Sequence, residues 1–440
     1  MVLSADVRVK YLSALREKTE ANQVFQKLHY RGSTASHKVC SIDLDYLIYN
    51  RHNGRLEAEM LTWEQERHIS PDDYDDALHE VIDDLLWRSA TPRNKQTLDD
   101  LREKGQQRPG IVSLDGVIID GNRRAMLLRR LEKATQVKQY FDAIILPDAY
   151  ADNQSEIVRL ETQYQMGEDA KVDYGPLQKY LHVRRLNVDL NIPLEQIDKL
   201  MNEKSGNAKR LIGTMALMDD YLEHIGCPKL YTMLKDADGT KEGMFVDLYS
   251  DLNRLSGGSA KVPWAFDPEV DTIQLRLIQF DYIRLGEFAD AKKVYREISH
   301  QSLGKNFFSN KDIWEKFRDG HEQSVDPVTT TMGSLDDFVS ENPDQFETRV
   351  DAARARDKKW AEAVRAPMKQ TFGQAHYKLG LATEKLKPSE YLKRALDLLQ
   401  EIDLDGSTLT AASENLELAM EINRLSYAIK KKFERAPVPA

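Results

Sequence analysis

The chain has 440 residues and a formal net charge of −10, from 62 lysines and arginines against 72 aspartates and glutamates. That length leads to two or three domains, and 41% hydrophobic with 30% charged residues is an ordinary globular balance. The negative sign excludes a protein whose whole surface clamps DNA, and leaves room for a local basic patch or for a partner that does the DNA binding. No apolar run approaches the roughly 20 residues that span a bilayer, and no signal peptide is visible, so a cytoplasmic location and no membrane partner are expected. Two distant cysteines, Cys40 and Cys227, point to the same reducing compartment. The ten histidines fall in no metal-ligand spacing.

In chain order, residues 1–38 are rich in lysine and arginine, and Val7 to Leu28 reads as helix with Gly32-Ser33-Thr34 as its break. The expectation is a basic helical arm packed on its neighbour. Residues 39–50, VCSIDLDYLIYN, read as a strand running into the turn Asn50-Arg51-His52-Asn53-Gly54-Arg55. Residues 57–104 read as helical, and the acidic run from Glu64 to Asp84 as a solvated face around a stripe of Ala77, Val81, Leu85 and Leu86.

Residues 109–131, PGIVSLDGVIIDGNRRAMLLRRL, carry the densest signal. Ile111 to Leu114 and Val117 to Ile119 are strand-prone runs flanking Asp115-Gly116, a strong two-residue turn. Asp120-Gly121 breaks the second strand, and Asn122 to Leu131 continues with helical spacing, Ala125, Leu128 and Leu131 on one face. A glycine at a strand-to-helix junction, followed by Arg123 and Arg124 in the first turn, gathers helix N–H groups, the positive end of the helix dipole and guanidinium forks. That is the chemistry of a phosphate site. The competing reading is a solvated helix start whose arginines pair with local carboxylates.

Phe141 to Pro147 is an apolar run of strand length closed by proline. Ser155 to Gln165 reads as a helix with Ser155 as N-cap. Leu194 to Met201, Glu203 to Asn207 and Ala208 to Tyr221 give helix, short break, helix, the spacing of a helix-turn-helix in which Asn207, Lys209 and Arg210 would face DNA; any helical hairpin gives the same pattern. The loop Asp236-Ala237-Asp238-Gly239-Thr240 lacks the spacing and closing glutamate of a calcium loop. From Pro268 to Phe317 helical patterns return, with Ile273, Leu277, Phe280 and Ile283 at core spacing and Tyr282 and Tyr295 as packing residues. His321 to Ser334, polar and holding Pro327 and Gly333, reads as a linker. Residues 335–440 read as helical, and Leu418, Ile422, Leu425 and Ile429 form a seam suited to a second copy or to an intramolecular bundle.

The turn Asp120-Gly121-Asn122-Arg123-Arg124-Ala125, behind its hairpin, resembles the Gly-Glu-Arg-Arg-x-Arg-Ala phosphate motif of the ParB/sulfiredoxin superfamily, and the Asp-Gly-Gln-His-Arg variant of DNA-modification proteins in that group. The resemblance implies that Gly121, Asn122, Arg123 and Arg124 hold the phosphates of CTP, ATP or ADP, with Asp120 beside them. Asn122 stands in place of the family's Glu or Gln, and Met126 in place of its last arginine. Asn50, Asn53 and Arg55 resemble the family's first box, and Leu98 to Gly105 the helix that leads into its hairpin. Glu161 to Gln165 resembles the Glu-Asn-x-x-Arg box, with Thr162 and Gln165 as departures. Lys171 to Gln178 resembles the Asp-Leu-Asn-Pro-x-Glu box, and Glu161 lies farther from Asp173 than the family's spacing. By the same resemblance Glu161 is the candidate Mg²⁺ ligand or general base, a hard oxygen donor of the type that triphosphate-bound magnesium takes.

These readings imply an α+β fold: a small mixed sheet of ParB/sulfiredoxin-like type over 39–185, followed by predominantly α-helical domains, with a helix-turn-helix-like segment at 186–235 and helical domains at 236–325 and 335–440. The function they imply is Mg²⁺-dependent binding and hydrolysis of ATP or CTP in DNA modification, phage defence or another DNA transaction. DNA would be met directly or through a partner protein, and a homodimer would form through the C-terminal helices. Two other classes stay open: a non-catalytic DNA-binding regulator using the helix-turn-helix, and a metal-dependent nuclease, which would need clustered carboxylates.

Overall fold

A computed structural model describes residues 2–434 apart from 19–22, 55, 68–73, 167–175, 236–239, 258–261, 287–295, 301–304, 384–387 and 403–412. Met1–Leu379 forms one compact unit and Gly380–Ala440 a second. The first unit begins with helix α1 (Ala5–Glu17) and strands β1 (Phe25–Tyr30), β2 (Ser33–Asp43) and β3 (Ile48–Tyr49). Helices α2 (Glu57–Arg67), α3 (Asp76–Arg88) and α4 (Thr91–Lys104) follow, then β4 (Gly110–Val112), β5 (Val117–Asp120), α5 (Asn122–Thr135), β6 (Tyr140–Ile145) and α6 (Gln154–Met166).

The six strands make one mixed sheet in the order β1-β2-β6-β4-β5-β3. β6 runs antiparallel to β2 and parallel to β4, β4 antiparallel to β5, and β5 parallel to β3. Both faces are covered, which is why the central strands are apolar without alternation. Val112, Ile118, Phe141, Ala143 and Ile145 pack on the side of α3, α4 and α5. Ile111, Val117, Ile119 and Ile144 pack on the opposite face with Ile157 and Leu160 of α6. The expected hairpin, helix and strand are all present, with Gly116 at φ +83° in the turn between β4 and β5.

The N-terminal segment departs from the expected helical arm. The helix ends at Glu17, and the stretch expected to continue it ends in β1, which forms a hairpin with β2 through Arg31 and Gly32, both at positive φ. Arg8 is buried: its Nε donates to the Asp115 carbonyl at 2.7 Å, tying α1 to the hairpin turn. In α3 Leu86 is buried as expected, while Leu78 and Ile82 take the places expected of Ala77 and Val81, and Asp83 is engaged by Tyr49 and Arg130.

The helical part of this unit comprises α7 (Pro176–Arg184), α8 (Leu194–Leu200), α9 (Asn207–His224), α10 (Thr240–Ser256), α11 (Val270–Leu285), α12 (Lys311–Met332) and α13 (Leu335–Glu341). The long helix α14 (Arg349–Thr383) contributes its residues up to Leu379. One core gathers Leu181, Ile197, Met215, Leu222, Phe245 and Phe280; another gathers Leu275, Tyr282, Trp314, Phe317, Trp360 and Met368. Serving both cores widens the buried face of α11 beyond the expected stripe: Phe280 and Ile283 are buried as expected, Ile273 is 48% and Leu277 37% exposed, and Leu275, Ile278, Tyr282 and Leu285 are buried as well. Tyr282 is a packing residue as expected; Tyr295 lies outside the described residues. The expected linker from His321 is helix α12, which runs through Pro327 and ends at Met332 before Gly333. His321 and Val325 are buried, and Thr329 accepts from the Trp360 indole at 3.0 Å, so packing outweighs the local composition.

The second unit holds α15 (Pro388–Gln400) and α16 (Ser413–Glu434). The seam residues Leu418, Ile422, Leu425 and Ile429 are exposed along α16. Cys40 and Cys227 are buried free thiols. No helix among the described residues is long and apolar enough to cross a membrane.

Candidate functional site

β5 delivers the chain to Asp120, Gly121 turns it at φ +102°, and α5 begins at Asn122, its first backbone bond running from Ala125 N–H to the Gly121 carbonyl. The first-turn N–H groups of a helix have no partner within the helix, so this end has the polarity expected for an anion. The turn is tight because the Phe141 ring presses on it. A Cβ on Gly121 would meet Phe141 Cζ at 2.7 Å, and a Cβ on Gly110 would meet the same atom at 2.3 Å.

Three segments expected to build the site from separate parts of the sequence meet behind this turn. The Asn50 backbone N–H donates to Asn122 Oδ1 at 3.0 Å, and Asn122 Nδ2 donates to the Ile118 carbonyl at 3.0 Å. The Asn50 amide donates to the two oxygens of Glu161 at 3.3 and 3.2 Å, while Asn50 Oδ1 accepts from His52 N–H at 3.0 Å. All three side chains are buried, Glu161 at 1% exposure. Arg124 lies at the rim: its guanidinium pairs with Asp120 Oδ2 at 3.0 Å and donates to the Arg108 carbonyl. Arg123 is half-buried. Arg55, the side chain of Gln165 and residues 171–175 lie outside the described residues.

A group of buried side chains that sequence reasoning missed surrounds Glu161. Arg185 opens a π-helical turn, Arg185–Asp189, that follows α7. Such turns recur at functional sites because they splay side chains out of helical register. Its guanidinium donates to the His52 carbonyl at 3.0 Å and to the Tyr150 hydroxyl at 2.7 Å. Burial pushes the Glu57 carboxyl up to about 7, against the attraction of Arg185 and Arg184. Burial, with Arg185 adding repulsion, drives His52 and His182 down to about 3, so both rings are neutral. Thr162 donates to the Val158 carbonyl at 2.7 Å, so its oxygen takes the Nε2–H of His182 at 2.9 Å. The one sequence signal for this group was the pair Arg184-Arg185 in an otherwise apolar helix end.

Among the described residues no group of three or more His, Cys, Asp or Glu stands in metal-binding geometry, so the protein's own side chains do not make a resident magnesium site; Glu161 is a single carboxylate that accepts from the Asn50 amide and keeps lone pairs on both oxygens. The contact of Glu161 in this state is a positioning one, holding Asn50 under the turn.

The helix-turn-helix candidate is α8 and α9. Asp198 of α8 is buried and accepts from the N–H groups of Gly206 and Ala208 at 2.8 and 2.7 Å, capping α9 with a carboxylate. Lys209 and Arg210 are exposed on the first turn of α9, and Asn207 accepts from Arg210 at 2.8 Å.

No family model matches this chain, and no curated protein matches it. Among solved structures it is similar to the C-terminally truncated chromosome-partitioning protein ParB from Caulobacter crescentus complexed with CTP-gamma-S, at 13% identity and a TM-score of 0.16, over 48% of this chain and 97% of that one.

Proposed function

We propose that the chain is a ParB-like nucleoside triphosphatase that grips ATP or CTP at the turn Gly121 to Arg124 and acts in a DNA transaction. The observation that carries this reading is the junction at Asn50: one residue ties the start of α5, through Asn122, to the carboxylate of α6, through Glu161. Two buried asparagines and a carboxylate converging on a helix start that also bears two arginines is more polar construction than a packed helix end needs. In this reading Arg124 leaves Asp120 for the phosphates, since a triphosphate carries more charge and more acceptor oxygens than one carboxylate. Magnesium arrives with the nucleotide rather than residing on the protein.

A charge change at the turn reaches Glu161 of α6 through Asn50, and reaches Arg185 through His52, whose N–H donates to Asn50 and whose carbonyl accepts from Arg185, so in this reading nucleotide state biases the helical half along these two branches. DNA contact by Lys209 and Arg210, or through a partner protein, and a homodimer along the α16 seam complete the proposal. A second reading, a DNA-binding regulator without turnover, is favoured by the exposed cations on α9.

The test is phosphate release from the purified full chain with ATP, CTP and GTP, with and without DNA, beside Arg124→Ala. Turnover of one nucleotide that the variant loses supports the reading. Absence of both turnover and binding with all three overturns it, and steeply salt-dependent DNA affinity without nucleotide would then favour the regulator.

A further inference from the structure

The helical half of the first unit contains a cavity of about 300 Å³ whose lining is cationic to a degree the composition does not foreshadow. Lys235, Lys241, Arg284, Arg354, Lys358 and Arg365 border it, with Asp357 as their acidic neighbour in the lining, in a chain whose net charge is −10. Met233, Leu285 and Ala361 supply its apolar part. Asp357 does not neutralise the group: its Oδ1 is taken by Arg284, whose Nε and Nη2 donate at 3.1 and 2.7 Å. The Arg284 guanidinium also lies 4.2 Å from the centre of the Trp360 ring, so it is a fixed wall. Lys235 is paired with Glu59 of α2.

Lys241 of α10 donates to the Met233 carbonyl at 3.4 Å, and the other three cations lie on one helix. Arg354, Lys358, Ala361 and Arg365 stand at i, i+4, i+7 and i+11 of α14, which is a single face. Arg354 and Lys358 are exposed, and among the described residues neither has a hydrogen-bond or ion-pair partner. Like charges one turn apart repel, and the carboxylate between them in sequence, Asp357, is turned to Arg284. The acids at neighbouring helical spacing, Asp351 and Glu362, make no ion pair with either cation among the described residues, Asp351 being bonded to Thr348, so two adjacent cations stand over a concave, partly apolar cavity.

We propose that this cavity binds a compact polyanion carrying two or more phosphate groups, with Arg354 and Lys358 as its principal ligands and Arg284 as the rigid side of the site. Arginine supplies bidentate recognition of phosphate and lysine a mobile point charge. The volume lies at the small end of ligand sites and suits a diphosphate or triphosphate group; a duplex backbone needs an extended stripe of cations rather than a cavity. The inference stands apart from the nucleotide turn, since it uses none of the residues there.

The experiment is calorimetric titration of the full chain with inorganic pyrophosphate, comparing wild type, Arg354→Gln/Lys358→Gln and Arg124→Ala. The expected result is a saturable event that the double variant weakens by about tenfold or more and that Arg124→Ala leaves in place. Both substituted residues are exposed, so the thermal midpoint of the double variant stays at the wild-type value. Equal affinity in wild type and double variant overturns the proposal. So does an event lost in Arg124→Ala, which places the pyrophosphate at the turn, and so does a titration that never saturates. A single-stranded oligonucleotide that binds wild type more tightly than pyrophosphate and is lost in the double variant assigns the cations to nucleic acid and overturns the compact-anion reading.

Discussion

The Asn50 side chain and the Glu161 carboxylate, 111 positions apart in sequence, meet through one amide that donates to both oxygens. Neither group has exposure enough to exchange that bond for water. Asn50→Ala therefore leaves a buried carboxylate short of a donor and costs about 1–3 kcal/mol. The urea midpoint with unchanged slope measures it. A variant as stable as wild type would mean that the bond is idle.

The Glu57 carboxyl makes stability fall as pH rises. Its pKa of about 7 in the folded chain lies above its ordinary 4.5, so the folded state holds a proton that the unfolded state has released between those values. The contribution is neutral below pH 4.5, grows unfavourable through that window and is complete above 7. Glu57→Gln is expected to raise the thermal midpoint at pH 8 and to leave it nearly unchanged at pH 4. His52 and His182, held neutral down to about 3, act in the opposite sense between 3 and 6.5. They are common to both proteins, so the difference between Glu57→Gln and wild type isolates the carboxyl. An unchanged difference from pH 4 to 8 would contradict the assignment.

Gly121 and Gly206 form a matched pair for testing the turn. Both have positive φ, +102° and +88°, but a Cβ on Gly206 meets nothing within 4 Å, whereas one on Gly121 meets Phe141. Gly206→Ala should lose only the backbone term, about 1–2 kcal/mol. Gly121→Ala should lose that and the clash. Equal losses in chemical denaturation would remove Phe141 from the account of the turn.

Asp198→Ala removes the acceptor for Gly206 and Ala208 N–H and is expected to cost about 1–2 kcal/mol. Hydrogen exchange should report it first at the start of α9, because that helix end loses its cap.

The parts of the fold legible in the sequence are those whose signals are local. Asp115-Gly116 between two apolar runs could only be a hairpin, and the Asn122 to Leu131 spacing could only be a helix. β1 was not legible: FQKLHY mixes charge with apolar residues, because the strand lies at the sheet edge and buries only Leu28 and Tyr30. The candidate site divides the same way. Asn50 and Asn122 were found through resemblance boxes at turns, and Glu161 through a box on a helix. Glu57 and Tyr150 carry no local signal and Arg185 shows only as half of the pair Arg184-Arg185, so tertiary packing is what assembles them.

The sheet order also sets a timetable. β2 pairs with β6, Val39 opposite Ile144, so about a hundred residues must leave the ribosome before the inner edge of β2 is covered. At typical synthesis rates that edge stands open for roughly 5–20 seconds. Lys38 just before that edge and Asp43 at its far end are the charges that oppose its pairing with another nascent chain.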